Sequence, residues 1–361
     1  MPKALQDEQL LETLRMVAPG MPLREGLDSI LRGRTGALIV VGDSPEVVAM
    51  SDGGFRLDTA FHPTSLYELA KMDGAIILST DGRKIVRANV HLNPDPSLPS
   101  SETGIRHRTA ERVARQTGTL VIAISARRNV ISVYRASLRY LSRDVAYLLA
   151  VANQALQTLE RSRDSLDKAL LALGALEFED LVVVADVVRV LQKAHATLRV
   201  VAELERYATE LGEEGRLVAM QLERLSSGVE EEAILSVKDY CRQPSDENCR
   251  EVHDELKGAS RELLADGAYL ARRLGFGSGL TVLDTPASPR GYRLLRRIPR
   301  LPFSIIDNLV KKYGLLSRII AATPDELDGV EGIGEARALA ILQGLTRLRE
   351  VLRRSPDRTS G

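Results

Sequence analysis

Hydrophobic periodicity changes once along this 361-residue chain, near Arg139, and that change limits what the chain can fold into. Before it, short runs rich in Val and Ile are bounded by Gly, Asp or Asn. They predict strands over residues 37–41, 47–50, 75–79, 85–91, 119–125 and 130–134. Helical spacing fills the gaps over residues 5–17, 23–31, 65–71 and 109–117, with Gly118 where a helix C′ glycine is expected. The alternation predicts an α/β domain with a central mixed β-sheet flanked by helices, over residues 1–138.

After Arg139 the strand signals fade and apolar residues recur at helical spacing. Leu148, Ala152, Leu156, Leu159, Leu166, Leu170 and Leu173 form one stripe, and Val184, Val188, Leu191, His195, Leu198 and Ala202 another. Stripes of this kind bury against other helices, so residues 139–289 read as a helical spine with a possible oligomerisation surface. His195 lies on the stripe and reads as a packed core histidine. Glu230–Glu232 reads as a solvated helix start. The Gly, Ser and Pro content of residues 275–291 marks a linker. The spacing of Gly275, Gly277 and Gly279 is that of a dinucleotide loop, but it neither follows a strand nor opens a helix, and that reading is rejected. Residues 290–361 read as a small helical domain with a frayed end over residues 355–361.

Charge separates the same regions. Residues 290–361 hold 14 Lys and Arg against 8 Asp and Glu, a net of +6, and the remainder carries −6. A basic tail on an acidic body suits a polyanionic partner. The two cysteines, Cys241 and Cys249, lie in one polar stretch without metal-ligand spacing, as in a reduced cytosolic protein. The first residues carry Asp7, Glu8 and Glu12 and do not read as a signal peptide. No apolar run approaches the ~18 residues of a membrane span. The expectation is a cytoplasmic, nucleoid-associated protein.

No Walker motif is present, so a nucleotide would have to be held otherwise. Two segments can do it. In the first, Asp73-Gly74-Ala75 opens a strand. As a plain turn it needs no function. As a site, it puts a carboxylate at a strand mouth, able to hold a divalent metal or face a hydroxyl, beside a glycine that lets a ligand approach. In the second, Gly104-Ile105-Arg106-His107-Arg108-Thr109 leads into a helix. Its cations oppose the helix dipole, an arrangement a bound anion would relieve. Guanidinium groups donate in pairs to phosphate oxygens, and Thr109 adds a hydroxyl.

Together Asp73–Ala75 and Arg106–Arg108, about thirty positions apart, resemble the diadenylate cyclase family, as do Asn89-Val90-His91-Leu92-Asn93-Pro94-Asp95-Pro96 and Arg108–Arg112. The resemblance implies that each protomer binds one ATP and that two sites face each other across a dimer, where two ATP become cyclic di-AMP and two pyrophosphates. It implies Mg²⁺ or Mn²⁺ on Asp73, with Arg106, His107, Arg108 and Thr109 on the phosphates. Gly74, Ala75, the Leu92 backbone, Gly104 and Ser125 line the rest of the ATP site. Asp73, Arg106, His107 and Arg108 are the implied catalytic residues. The family usually has Thr where Ile105 stands, so a hydroxyl contact is lost there and turnover is expected to be weaker.

Near the other end, Val330-Glu331-Gly332-Ile333-Gly334 followed by a helix resembles a helix-hairpin-helix motif. Its glycines allow the tight turn and expose amides to DNA phosphate, and Arg337 adds charge. Ile298-Pro299-Arg300-Leu301-Pro302-Phe303 resembles a degenerate first copy, with Arg293, Arg296, Arg297, Arg300, Lys311 and Lys312 as basic surface. The whole pattern is similar to the diadenylate cyclases that carry such a tail. For that family it implies octamers with central cyclase dimers, and cyclase output lowered by branched DNA. The competing readings are an ATP-sensing DNA-binding scaffold without cyclase activity, favoured by Ile105, and a repair nuclease subunit. The latter lacks a clustered-carboxylate metal site.

Overall fold

The computed structural model describes residues 3–127, 130–277, 279 and 281–354. It divides into two compact units, Met1–Asn153 with Glu205–Met220, and Gln154–Leu204 with Gln221–Gly361.

The first unit is built on one eight-stranded sheet. Its strands are β1 (Ala37–Val41), β2 (Ser51–Asp52), β3 (Phe55–Ala60), β4 (Ala75–Leu78), β5 (Lys84–Leu92), β6 (Leu120–Ser125), β7 (Val130–Arg135) and β8 (Leu138–Leu141). They lie in the order β2-β5-β4-β1-β6-β7-β8, with β3 also on β5. β1 and β4 are parallel and the remaining pairs antiparallel, so the sheet is mixed, as expected. The helices are α1 (Lys3–Met16), α2 (Pro22–Arg32), α3 (Pro45–Ala49), α4 (Pro63–Leu69) and α5 (Ile105–Thr117).

All five residues of β1 are buried, because both faces of the sheet are covered. Ala37, Ile39 and Val41 join Leu27 and Ile30 of α2 and Leu66 of α4 in one core. Leu38 and Val40 join Val47 of α3 and Ala110, Val113 and Ala114 of α5 in the other. Gly118 ends α5 at φ 69°, with its N–H on the Ala114 carbonyl, as the C′ position requires.

Three expectations are corrected. Residues 47–50 form no strand: Ser44 accepts from the Val47 N–H, Pro45 sits at the first helical position, and the segment starts α3. That capping signature outweighs the β-branched pair Val47-Val48. α5 begins at Ile105 rather than 109, which puts Arg106, His107 and Arg108 in its first turn. β2, β3 and β8 carry no apolar alternation; β3 is exposed along its whole length and is held by its pairing with β5.

The second unit is helical, with the amino end of α6 and the carboxy end of α7 continuing into the first. It holds most of α6 (Val145–Glu179), α7 (Val184–Leu211) and α8 (Arg216–Ser226). After these come α9 (Val229–Tyr240), α10 (Asp246–Gly258), α11 (Arg261–Ala265), α12 (Gly267–Arg273) and α13 (Tyr292–Arg296). The chain closes with α14 (Phe303–Tyr313), α15 (Leu316–Ala321), α16 (Pro324–Asp328) and α17 (Glu335–Arg354). The first predicted stripe is buried throughout. The second is buried as far as Leu198, but Ala202 is exposed, and Val201 and Leu204 take its place. His195 is packed in the core as read, 5.2 Å from the His253 ring of α10. Cys241 and Cys249 are buried free thiols.

Two readings change in detail. Glu230–Glu232 does start a helix, but its carboxylates pair with Lys257, Arg296 and Arg297. The described part of 275–291 is docked on the spine: Ala287 donates to the Val182 carbonyl and Val184 to that of Thr285. The predicted frayed end, 355–361, lies outside the described residues.

A candidate nucleotide site at one end of the sheet

Strand register decides which of the predicted residues meet. Ala37 lies opposite Ile124 and Ile39 beside Ile76. Continuing those registers sets Gly36 between Asp73, which precedes β4, and Ser125, which ends β6. Ala75 lies opposite Val90 on β5, so Leu92 falls opposite Asp73. Leu92, Asp73, Gly36 and Ser125 thus form one row across four adjacent strands, at about 4.8 Å per step. The helix α5 precedes β6 and runs back along it, which returns its amino end to the same row.

The arginine in the first turn of α5 reaches into this row. The Arg106 guanidinium lies against Gly36, where any Cβ would overlap its Nη1 and Cζ. Arg106 therefore sits about one strand spacing from Asp73 on one side and from Ser125 on the other. Gly36 is the residue that sequence reasoning missed. Its only signal was a glycine directly before an apolar strand.

A second glycine sets the other half. A Cβ on Gly74 would run into the backbone of Asn89, which itself holds φ 55°. The ladder between β4 and β5 is irregular just beyond, between Ala75 and Ile77. Gly74 lets the two backbones close at that point and fixes the direction in which Asp73 leaves the strand. Ala75 and Leu92 are buried beneath, and Asp73 is exposed.

Gly104 provides no side-chain cap for α5, so the first amides of the helix are not occupied by a capping side chain. Ile105 is 83% exposed; its side chain contributes nothing to the core. Arg108 is exposed and donates to the Thr103 carbonyl. Thr109 is half-buried in the same turn. His107 turns under the helix, with Nδ1 3.1 Å from the Tyr134 hydroxyl of β7. Tyr134 donates in turn to Glu102 at 2.8 Å, and Arg139 of β8 pairs with that carboxylate at 2.7 Å. Burial first, and then the bond to Glu102, push the Tyr134 phenol above its ordinary value.

Among the described residues no three His, Cys, Asp or Glu side chains cluster as a metal cage. A single exposed carboxylate such as Asp73 fits an ion carried mostly by phosphate oxygens, the usual mode for Mg²⁺.

In the second unit, residues 298–303 and 330–335 have the same backbone. Arg300 holds φ 60° where Gly332 holds 80°. Ile298 and Leu301 are buried, as are Val330 and Ile333. Leu301 donates to the Ile298 carbonyl, and Ile333 to that of Val330. Ile305 and Ile306 donate to Pro302; Arg337 and Ala338 donate to Gly334. The segment before α14 therefore repeats the hairpin before α17. Gly332 and Gly334 are exposed at its tip, and the Arg337 side chain braces the Gly332 carbonyl.

The expected basic surface is smaller than read. Arg293 is fully buried and ion-paired with Glu177. Arg296, Arg297 and Lys311 pair with Glu231, Glu232 and Asp307. Arg300, Lys312 and Arg337 remain exposed.

Comparison with known proteins places these features in a family. Residues 24–138 match the family model described as the DisA bacterial checkpoint controller nucleotide-binding region, and residues 142–283 match the DisA linker region. The chain is 55% identical to the DNA integrity scanning protein DisA of Symbiobacterium thermophilum, over 94% of this chain and 95% of that one. It is 51% identical to the protein of that name from Carboxydothermus hydrogenoformans, over 96% and 98%. It is also 51% identical to that of Clostridium tetani, over 96% and 95%. Identity of this extent along nearly the whole length shows that the chain belongs to the DisA family of DNA integrity scanning proteins.

Proposed function

We propose that the chain is a diadenylate cyclase, condensing two ATP into one cyclic di-AMP and two pyrophosphates, and that it binds branched or damaged DNA. The observation that supports the cyclase most is the row Leu92, Asp73, Gly36 and Ser125 with Arg106 laid across Gly36. It brings the one carboxylate and the cationic turn to a single strand mouth.

In this reading the triphosphate lies along the amino end of α5. Arg106 and Arg108 donate to its oxygens, Thr109 adds a hydroxyl, and the first amides of the helix add the positive end of its dipole. Ser125 touches phosphate from the far side. Gly74, Ala75, Leu92 and the backbone at Gly104 and Ile105 shape the ribose and adenine pocket. Asp73 holds Mg²⁺ or Mn²⁺ jointly with the phosphates, and the ion neutralises charge at the α-phosphate. The 3′-oxygen of one ATP forms a bond to the α-phosphorus of the other, the bond to the bridging oxygen breaks, and pyrophosphate leaves. The second protomer's pair repeats the step and closes the ring. The protein supplies position and charge rather than a covalent intermediate. Each nucleotide belongs to a different copy, so a monomer is inactive and the working form is an oligomer, an octamer by family resemblance.

The functional division is residues 1–138 for catalysis, 139–289 for the spine and 290–361 for DNA. The hairpin at Gly332, Ile333 and Gly334, with Arg337, meets the phosphate backbone and reads geometry rather than sequence. The DNA role places the protein in the cytoplasm at the nucleoid. No described helix is long and apolar enough to cross a membrane.

A second reading, an ATP-sensing scaffold without turnover, is favoured by the exposed Ile105 at the lip of the site. Incubation with ATP and Mn²⁺ decides. Cyclic di-AMP above an Asp73→Asn control establishes the cyclase; bound ATP without product establishes the scaffold.

A further inference from the structure

We infer that Tyr134, anchored by Glu102, is a positioning residue for His107, fixing which ring nitrogen carries the proton and turning the other toward the phosphates. The inference rests on the cyclase reading for its consequence, but its geometry is independent of it.

Glu102 is buried and receives two charge-assisted contacts, from the Tyr134 hydroxyl at 2.8 Å and from Arg139 at 2.7 Å. A carboxylate paired with a guanidinium is ionised and can only accept. The Tyr134 proton is therefore committed to Glu102, and the phenolic oxygen has only lone pairs left for His107. At 3.1 Å, Nδ1 of His107 must be the donor. This fixes the tautomer: Nδ1 carries hydrogen, and Nε2 is free to take a second proton or to lose it. The Cδ2 edge of the ring, beside Nε2, faces Gly104 at the amino end of α5.

The consequence is electrostatic. With Nε2 protonated the ring is a cation that donates to a phosphate oxygen. With Nε2 bare, its lone pair repels one. Glu102, one hydroxyl away, favours the cation. The other charged groups near the ring are Arg106 and Arg108 on α5, which disfavour it, and Arg139, whose charge is spent on Glu102. Glu111, one turn on, is engaged by Ser100, Ser101 and Arg115. The elements packed against α5 present apolar side chains there: Leu38 and Val40 from β1, Val121 and Ala123 from β6, and Val47 from α3. Glu102 through Tyr134 is thus the anionic contact the structure gives this histidine.

The test uses the full-length protein and two variants, Tyr134→Phe, which removes only the hydroxyl, and Glu102→Gln. In nitrogen-15 imidazole spectra the wild type should show His107 protonated at Nδ1 across the neutral range, and Tyr134→Phe should show a tautomer mixture. In kinetics, KM for ATP should rise about tenfold with a smaller fall in kcat, and the alkaline limb of kcat/KM should move to lower pH. Added to His107→Ala, Tyr134→Phe should cause no further loss of ATP affinity, since its effect passes through that ring. A further loss in that background would overturn the inference. So would an unchanged tautomer, or a pH-independent fall in activity matching the loss of folded protein. If the wild type makes no cyclic di-AMP, the cyclase reading fails while spectra and ATP affinity still judge the relay.

Discussion

Gly74→Ala adds one methyl group at the point where β4 and β5 approach most closely. Its Cβ would lie 2.7 Å from Asn89 Oδ1 and nearer still to Asn89 Cα and carbonyl carbon, whereas ordinary contact begins at 3.4 Å. A side-chain oxygen could swing away. Backbone atoms cannot, and Asn89 is already held at φ 55° by the surrounding ladder. The strands must part by roughly 1 Å, and a shift of that size at a reacting group costs on the order of 10²-fold in rate. The core beneath is unaffected, because Ala75, Ile77 and Val90 keep their partners. The expected result is a folded protein with an unfolding midpoint near wild type and cyclic di-AMP formation reduced about 100-fold. Coupled pyrophosphate release and thermal unfolding measure the two quantities. A Gly74→Ala protein with undiminished activity would refute the argument that this contact aims Asp73. One that failed to fold would show that the contact holds the domain together rather than the site.

The second unit gives three further predictions. His195 is held near 3 by burial, by the neighbouring His253 and by Lys257, and His253 is likewise lowered, chiefly by burial. The unfolded ring titrates near 6.5, so this contribution is complete above that pH and is lost as pH falls toward 3. Roughly 2 kcal/mol should go between pH 6.5 and 5. Urea unfolding at the two pH values checks this, and His195→Leu should flatten the difference. Arg293 is buried with Glu177, and Asp239 accepts from the Gly291, Tyr292 and Arg293 amides at the start of α13. Arg293→Met should therefore cost about 3–5 kcal/mol in denaturant unfolding, and an unchanged midpoint would contradict it. DNA affinity should fall with salt at a slope of about 0.9 per phosphate neutralised. Gly334→Asp should weaken binding without unfolding, because a Cβ there meets nothing nearer than Asp328 Oδ1 at 4.0 Å. Equal affinity in a filter or anisotropy titration would exclude the hairpin as the contact. Removing residues 290–361 is a poorer test, since it would strip Glu177 and Asp239 of their buried partners.

Legibility in the sequence followed the range of the forces involved. The buried strands β1, β4, β5, β6 and β7 were readable because both faces are apolar and the runs are short. β3 was not, because its exposed residues carry no pattern and its place is set by β5, some thirty residues on. The helix α3 was hidden because Ser44-Pro45 acts through two hydrogen bonds while Val47-Val48 suggests a strand. At the site, Asp73 and Arg106–Arg108 could be named from side-chain chemistry, yet their meeting depends on strand register, which no local motif encodes. Gly36, Glu102 and Tyr134 were invisible for that reason. Arg293 misled for a related one: its charge is legible, but its burial against Glu177, over a hundred residues away, is not.

The central claim, that a triphosphate lies along α5 with Asp73 opposite, can be tested most directly by a crystal structure with Mn²⁺ and 3′-deoxy-ATP, which lacks the attacking hydroxyl. The triphosphate should contact Arg106, His107 and Arg108, the metal should lie on Asp73, and a second copy should face the first across the two nucleotides. Nucleotide bound elsewhere, or Asp73 remote from both metal and ribose, would contradict the account.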